Sequence, residues 1–308
     1  MSVTLNTKHL LSMTDLTAEE TLNLLSRASE LKLGSHASGM TGKTLAVLFE
    51  KPSLRTRVGL EIAMFQMGGY ATILGQTEVG LGVRETIEDV ARVLSRWTDG
   101  IACRTSSHSD LTELATKSSI PVINALTDVE HPTQGLADLL TIQEVHGDLA
   151  NVCIAFIGDG DNVAASLALG ASTVGAQVRV SSPEGHDLPS DIVSRARSLA
   201  NSSGGSFDLV RDPRKAVLQA HVVYTDVWTS MGLEAEAEVR RRVFAKYQVN
   251  PALMRLAAPK AIFMHNMPVH YGEEIPDGFL SNAHSVAYDQ AENRLHTIKA
   301  ILEALIGD

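Results

Sequence analysis

Cysteine is scarce: there are two in 308 residues, Cys103 and Cys153, each inside an apolar run. So few exclude a disulfide framework, and two buried thiols in a reducing cytoplasm are the expected reading. Long hydrophobic runs are missing as well. No uninterrupted apolar segment approaches the ~20 residues that cross a bilayer, and the opening MSVTLNTKHL has no apolar stretch like that of a signal peptide. A cytoplasmic protein with no membrane partner is therefore expected. Positive charge is not in excess: the formal net charge is −10. That argues against nucleic acid as a partner, and an anionic ligand would have to be met by a local group of arginines. Internal repeats and low-complexity tracts are absent too.

What remains is an ordinary globular composition, 44% hydrophobic and 20% charged, on a chain long enough for two domains. TAEETLNLLSRASELKLG reads as an amphipathic helix. Thr17 and Glu20 have capping-box spacing, Leu22, Leu25 and Leu31 lie near one face, and Gly34 can end it. Short apolar runs then alternate with helical stretches. KTLAVLFE, ATIL, GIACRT and PVINAL are strand candidates in the first half; NVCIAFIGD, AQVRVSS, FDLV, AHVVYTDVW and AIFMHN are those in the second. Nearly continuous apolar strands separated by helices predict an α/β fold of two domains, each a mainly parallel sheet flanked by helices. The polar stretch QEVHGDLAN is the best boundary, giving 1–147 and 148–289. Ligands of open α/β sheets collect beyond the carboxyl ends of the strands, so the residues just after each strand carry the functional question.

The first strand runs into EKPSLRTRVGLEIAMFQMGG, where Pro52 suits a helix start and Gly68-Gly69 its end. Ser53, Arg55 and Thr56 would occupy the first turn, where free N–H groups, hydroxyls and a guanidinium make a phosphate site. A capped helix with exposed arginines is the plain alternative. The Walker pattern is missing. Arg104 ends the third strand, with His108 following, and DVEHPTQGLADLL places His131 and Gln134 after the fourth. Alone, His131 is more often a hydrogen-bonded loop histidine, but these segments converge on one sheet edge. In the second half FIGDGDNVAASLALG suggests a dinucleotide loop, yet Val163 stands where the third glycine belongs. TDVWTSMG puts Asp226 at a strand end, where a carboxylate can hold an ammonium or simply cap a helix. HNMPVHYGEE, after the last apolar run, crowds His265, Asn266, His270 and Tyr271 around Pro268. A zinc site from the two histidines lacks further ligands at a sensible spacing.

SLRTR, RTSSH, HPTQGLAD, GDGDNVAASL, DVWTSMG and DQAENRLHTIKA stand in an order that resembles the ornithine carbamoyltransferases, over almost the whole chain. The first and third mark the wider family with aspartate carbamoyltransferase; DVWTSMG points to ornithine. The resemblance implies transfer of the carbamoyl group of carbamoyl phosphate to the δ-amine of L-ornithine, giving L-citrulline and phosphate in arginine biosynthesis, with no cofactor and no metal. It implies a carbamoyl-phosphate domain, 1–147 joined by a C-terminal helix of about 290–308, and an ornithine domain, 148–289. Arg104, His131, Arg55 and Thr56 would be catalytic. Ser53, Leu54, Arg55, Thr56, Arg104, His131, Gln134, Asn266, Met267 and Arg294 would bind carbamoyl phosphate. Asn162, Asp226, Ser230, Met231 and Asn266 would bind ornithine. Relatives assemble as trimers, so a homo-oligomer, a trimer or a multiple of one, is expected.

The sequence also departs from the family pattern. In the opening of HNMP, Asn266 replaces the usual cysteine and Met267 the leucine; Tyr271 replaces a later arginine. Asparagine still hydrogen-bonds but supplies no thiolate. Gly80 lies where many relatives have Gln or His reaching a neighbouring subunit, Asp161 replaces an asparagine beside Asn162, and Leu54 replaces a threonine. These changes leave open a carbamoyltransferase acting on lysine, an N-acylornithine or putrescine, or a non-catalytic relative that only binds carbamoyl phosphate.

Overall fold

The computed structural model describes residues 3–35, 39–230 and 232–307. Met231, assigned above to the ornithine end, lies outside them. The chain forms two compact units, Met1–Leu140 with Glu292–Asp308, and Thr141–Ala291.

In the first unit, α1 (Ala18–Lys32) starts from the capping box at Thr17 and Glu20. The Glu20 N–H donates to the Thr17 hydroxyl at 3.1 Å, and the Thr17 N–H to the Glu20 carboxylate at 2.8 Å. Its buried face is Thr21, Leu24, Leu25, Ala28 and Leu31. Leu22, expected on that face, is exposed, because it lies roughly a third of a turn round the helix from the centre of that stripe. There follow β1 (Thr44–Phe49), α2 (Leu54–Gln66), β2 (Tyr70–Gly75), the single turn α3 (Gln76–Val79), α4 (Ile87–Trp97), β3 (Gly100–Arg104), α5 (His108–Lys117), β4 (Val122–Leu126) and α6 (Pro132–His146). The four strands form a parallel sheet in the order β2-β1-β3-β4. Its inner strands are buried nearly end to end, as a sheet covered on both faces requires.

The terminal helix, Ala287–Ile306, packs on this unit through its residues from Glu292 onward. A Cβ added at Gly100 would lie 2.4 Å from Ile306 Cδ1, and one at Gly59 would lie 3.3 Å from Ile298 Cδ1. The glycines are what admit the helix so closely. Glu303 accepts two hydrogen bonds from Arg27, at 2.5 and 2.9 Å, both groups being buried. Such a pair fixes position well, since losing one partner leaves a buried charge.

The second unit contains β5 (Cys153–Ile157), α7 (Asn162–Thr173), β6 (Gln177–Ser181), α8 (Ser190–Ser203), β7 (Ser206–Leu209), α9 (Pro213–Ala216), β8 (Val222–Tyr224), α10 (Ala237–Phe244), α11 (Pro251–Met254) and β9 (Ile262–Met264). Its five strands are parallel in the order β7-β6-β5-β8-β9. All nine strands anticipated from the apolar runs are present. The helix α7, rich in small residues, is buried from Val163 to Thr173. The division between units falls inside α6, before the polar stretch. The part of that helix from Thr141 onward belongs to the second unit, where the His146 ring lies 5.7 Å from that of His221.

Candidate active site

In each sheet the strand order reverses once, between β1 and β3 in the first unit and between β5 and β8 in the second. Loops leaving two such neighbours turn opposite ways and open a crevice at their carboxyl ends. The residues after those four strands are 50–56, Arg104 onward, 158–162 and 225–230.

At the first crevice Ser53 is the N-cap of α2, accepting a hydrogen bond from the Thr56 N–H at 3.3 Å. Pro52 therefore precedes the cap rather than opening the helix. Leu54 begins the helix with its side chain exposed. Thr56 is buried, and its hydroxyl accepts from Arg294 Nη2 at 2.9 Å. Burial, and then the Arg55 charge, push the pKa of Arg104 down to about 10, so it remains a cation at neutral pH. Its Nε is buried with no partner among the described residues. His131 is buried too. Burial first, then Arg294, Arg104 and Arg55, hold its pKa well below the usual range, and it is neutral at pH 7. Its Nδ1 lies 3.2 Å from the Thr133 hydroxyl. Gln134 donates its amide NH2 to Asp138 Oδ1 at 2.8 Å, and its Oε1 is buried without a partner among the described residues. Beside Ser53 and Leu54 opens a cavity of about 560 Å³, lined also by Lys51, Arg57, Gln76 and Glu78. Three arginines thus gather at one sheet edge of a chain with net charge −10. His108 is not among them: it begins α5, and its Nδ1 meets the Thr127 hydroxyl at 2.9 Å.

At the second crevice Asp161 caps α7. It accepts from the Val163 and Ala164 N–H groups at 3.1 and 3.5 Å and from the Ser230 hydroxyl at 3.3 Å. Asn162 is the first residue of that helix. Asp226 accepts from the Val227 N–H at 2.7 Å and from Asn266 Nδ2 at 3.1 Å. Asn266 Oδ1 is left buried and unpartnered among the described residues. Burial raises the Asp161 pKa to about 6, and burial together with the Asp161 charge raises that of Asp226 well above the usual range. Two carboxylates so placed call for a cation. The dinucleotide pattern is explained otherwise: a Cβ at Gly160 would lie 2.3 Å from the Leu188 nitrogen, so that glycine admits the protein's own backbone.

Two supports escaped the sequence reading. Arg240, buried, donates from Nε to the Trp228 carbonyl at 2.5 Å and pairs with Asp159, tying the loop after β8 to the loop after β5. His265 accepts the Met267 N–H on Nδ1 at 2.9 Å, which puts the proton of the neutral ring on Nε2, facing Glu274 at 3.2 Å. Met267 has φ +53°, a left-handed conformation that a non-glycine residue holds only when its surroundings impose it. The charged groups have polar neighbours in sequence and no periodicity that announces burial, so only the spacing of Gln134 and Asp138, one helical turn apart, was a usable signal.

Two family profiles match the chain: "Aspartate/ornithine carbamoyltransferase, carbamoyl-P binding domain" over residues 8–144 and "Aspartate/ornithine carbamoyltransferase, Asp/Orn binding domain" over residues 150–305. The chain belongs to the aspartate/ornithine carbamoyltransferase family. An ornithine carbamoyltransferase of Pyrococcus abyssi is 47% identical over 311 residues, covering 100% of this chain and 98% of the relative. An anabolic ornithine carbamoyltransferase of Pyrococcus furiosus is 46% identical, covering 100% and 99%. A solved structure of ornithine carbamoyltransferase from Pyrococcus furiosus superposes with TM-score 0.94 at 45% identity, covering 99% of this chain and 97% of that one.

Within this carbamoyltransferase family the departures now have physical content. Gly80 takes φ +57°, and a Cβ there would meet Arg84 Cβ at 2.8 Å, so a larger residue would strain this loop. Asp161 adds a second carboxylate beside Asp226. Relieving that repulsion by Asp161→Asn is expected to raise the melting temperature of the ligand-free protein at pH 7.5 by a few degrees and leave it little changed at pH 4. A calorimetric scan at both values checks this. With Asn266 in the cysteine's place, the remaining thiols are Cys103 and Cys153, both buried and pushed up in pKa by burial. Activity should therefore survive iodoacetamide applied to the native protein, followed alongside thiol counting by mass. His270, Glu273 and Glu274 lie close enough to share a cation. Glu273 is engaged by Arg241 at 2.8 Å, and Glu274 by His265.

Proposed function

We propose that this protein is an ornithine carbamoyltransferase, moving the carbamoyl group of carbamoyl phosphate to the δ-amine of L-ornithine with release of phosphate. The observation that carries this reading is the pairing of two unlike sites. One gathers Arg55, Arg104 and Arg294 about a neutral histidine; the other sets two carboxylates beside an unpartnered amide oxygen. The first suits a phosphate and a polarised carbonyl, the second an amino acid carrying ammonium groups.

In this reading the unit starting at Met1 is the carbamoyl-phosphate domain and the unit starting at Thr141 the ornithine domain. Ser53, Leu54 through its backbone, Arg55 and Thr56 hold the phosphate at the α2 N-terminus, where N–H groups and the helix dipole favour an anion. Arg104, His131 and Thr56 face the carbonyl oxygen. With the Thr133 hydroxyl donating to Nδ1, neutral His131 carries its proton on Nε2 and donates without itself ionising. Gln134 Oε1 accepts from the carbamoyl NH2, and Arg294 orders Thr56. Asp226, Asn162 and Ser230 hold the amino-acid end of ornithine, and Asn266 Oδ1 accepts from an ammonium. Attack by the neutral amine puts charge on the carbonyl oxygen, which prearranged donors stabilise. Phosphate departs with its charge held by the arginines and is itself the base that takes the amine's proton.

The name of the anabolic relative supports a role in arginine biosynthesis. No helix among the described residues is long and apolar enough to cross a membrane, which agrees with a cytoplasmic enzyme. Leu54, Val58, Ile62 and Phe65 form an exposed apolar stripe on α2, which supports a homo-oligomer; light scattering on the purified protein is expected to give three times the chain mass or a multiple of that.

The deciding experiment offers carbamoyl phosphate with L-ornithine, L-lysine, N-acetylornithine, putrescine and L-aspartate in parallel. Ornithine is expected to be preferred by at least about a hundredfold in kcat/KM, because a site with buried polar groups rejects ligands that leave them unpaired. Preference for another amine would overturn the acceptor, and no product from any amine would overturn the enzyme.

A further inference from the structure

Gln134 is the third residue of α6 and Asp138 lies one turn on, so both side chains project from one face of the helix. Both are buried, Gln134 at 1% exposure and Asp138 at 0%. Their bond, from Gln134 Nε2 to Asp138 Oδ1, is 2.8 Å long. An amide has two ends of similar shape and opposite hydrogen-bonding sense, and nothing in its own bonding chooses which end faces a ligand. A carboxylate accepts and does not donate, so it takes the NH2 end and excludes the flipped arrangement, in which two oxygens would oppose each other. The other end, Oε1, is then committed to face away from Asp138, where it is buried with no partner among the described residues.

We propose that Asp138 is a specificity-determining positioning residue: by fixing the Gln134 amide it turns an acceptor toward the acyl group of the donor. It thereby makes the protein select a carbamoyl group over an acetyl group of the same shape. The inference rests on the reading that this unit binds carbamoyl phosphate. Carbamoyl and acetyl phosphate share the phosphate, the carbonyl and nearly the same volume. They differ in an NH2, which donates to Gln134 Oε1, and a CH3, which would leave that oxygen buried and unpaired. Discrimination between the two follows from an acceptor held in one orientation, not from the size of the site. Asparagine at 138 has a donor end of its own and accommodates either orientation of Gln134, so the selection should collapse while the volume is unchanged.

The test measures kcat/KM for carbamoyl phosphate with L-ornithine, and the competitive inhibition constants of acetyl phosphate and inorganic phosphate, in wild type and Asp138→Asn. In the variant, kcat/KM for carbamoyl phosphate is expected to fall by at least about tenfold. The constants for acetyl phosphate and inorganic phosphate should stay within about threefold. Asp138→Ser, whose hydroxyl also donates or accepts, should behave alike and serves if the asparagine variant fails to fold. In a Gln134→Met background the effect of the Asp138 substitution should vanish, because the two act as one unit. Unchanged discrimination in a variant that still binds inorganic phosphate overturns the inference, as does equal weakening of both acyl phosphates. If wild type makes no use of carbamoyl phosphate the underlying reading fails and the inference with it, whereas wild-type turnover with unaltered selectivity in the variants removes the inference alone.

Discussion

Replacing Arg104 by glutamine is expected to lower kcat for carbamoyl transfer by about 10²–10³-fold, the usual consequence of removing one donor from a developing oxyanion. The same change should leave the protein folded and slightly more stable. Arg104 is largely buried at the end of β3, beside the like charge of Arg55, with its Nε unpartnered among the described residues. A cation in that setting disfavours the folded state. Its lowered pKa says so directly, since a group held below its ordinary value binds its proton less well in the folded chain than in the unfolded one. Glutamine removes the charge, and its shorter side chain draws the donor back from the carbonyl oxygen. A melting temperature unchanged or raised by a few degrees, with kcat collapsed, is the signature of a residue kept for chemistry rather than for stability. A melting temperature lowered in step with activity would instead make Arg104 a structural residue. Steady-state rates beside calorimetry separate the two.

Asp226→Asn should weaken use of ornithine by about 10²-fold or more in kcat/KM, from the loss of a buried charge partner, while KM for carbamoyl phosphate stays within about twofold. Burial raises the pKa of Asp161 to about 6, and burial followed by the Asp161 charge raises that of Asp226 well above its usual range. Below these raised values protons occupy the pair and it offers less charge to an ammonium. Thus kcat/KM for ornithine should fall as pH drops below about 6, and the fall should move in Asp161→Asn. Stability without ligand runs the other way. Carboxyls whose folded pKa is raised hold protons that the unfolded chain has lost, so their contribution is fully present below the unfolded value, 3.8. It is lost as pH rises through the folded one. The site is therefore least comfortable at neutral pH, where its ligand cation would relieve it. Among the described residues, Ser230 donates to Asp161 and Asn266 to Asp226 from their side chains, and Glu274 adds to the repulsion on Asp226.

Much of this was legible from local pattern. The strands could be read because each is a short continuous apolar run, and the order of polar motifs placed Ser53, Arg55, Thr56, Arg104, His131 and Gln134 after strands of one sheet. What could not be read was burial of charge. Glu274 and Arg240 look like solvated side chains until the fold puts them against His265 and the Trp228 carbonyl, and Asp138 shows only its one-turn spacing from Gln134. The meeting of Asp161 with Ser230, and of Asp226 with Asn266, joins residues far apart in sequence and depends on β5, β8 and β9 lying side by side. Leu22 misled because apolar character alone does not fix which side of a helix is covered.

The central claim is a bond between the carbamoyl carbon and the δ-nitrogen of ornithine. Carbamoyl phosphate labelled with carbon-13, mixed with ornithine labelled with nitrogen-15 at the δ position, tests it by NMR. A ureido carbon split by one-bond coupling to nitrogen, growing in step with released phosphate, is the result this account expects. Phosphate released with the labelled carbon in bicarbonate or cyanate and no coupled signal would contradict it.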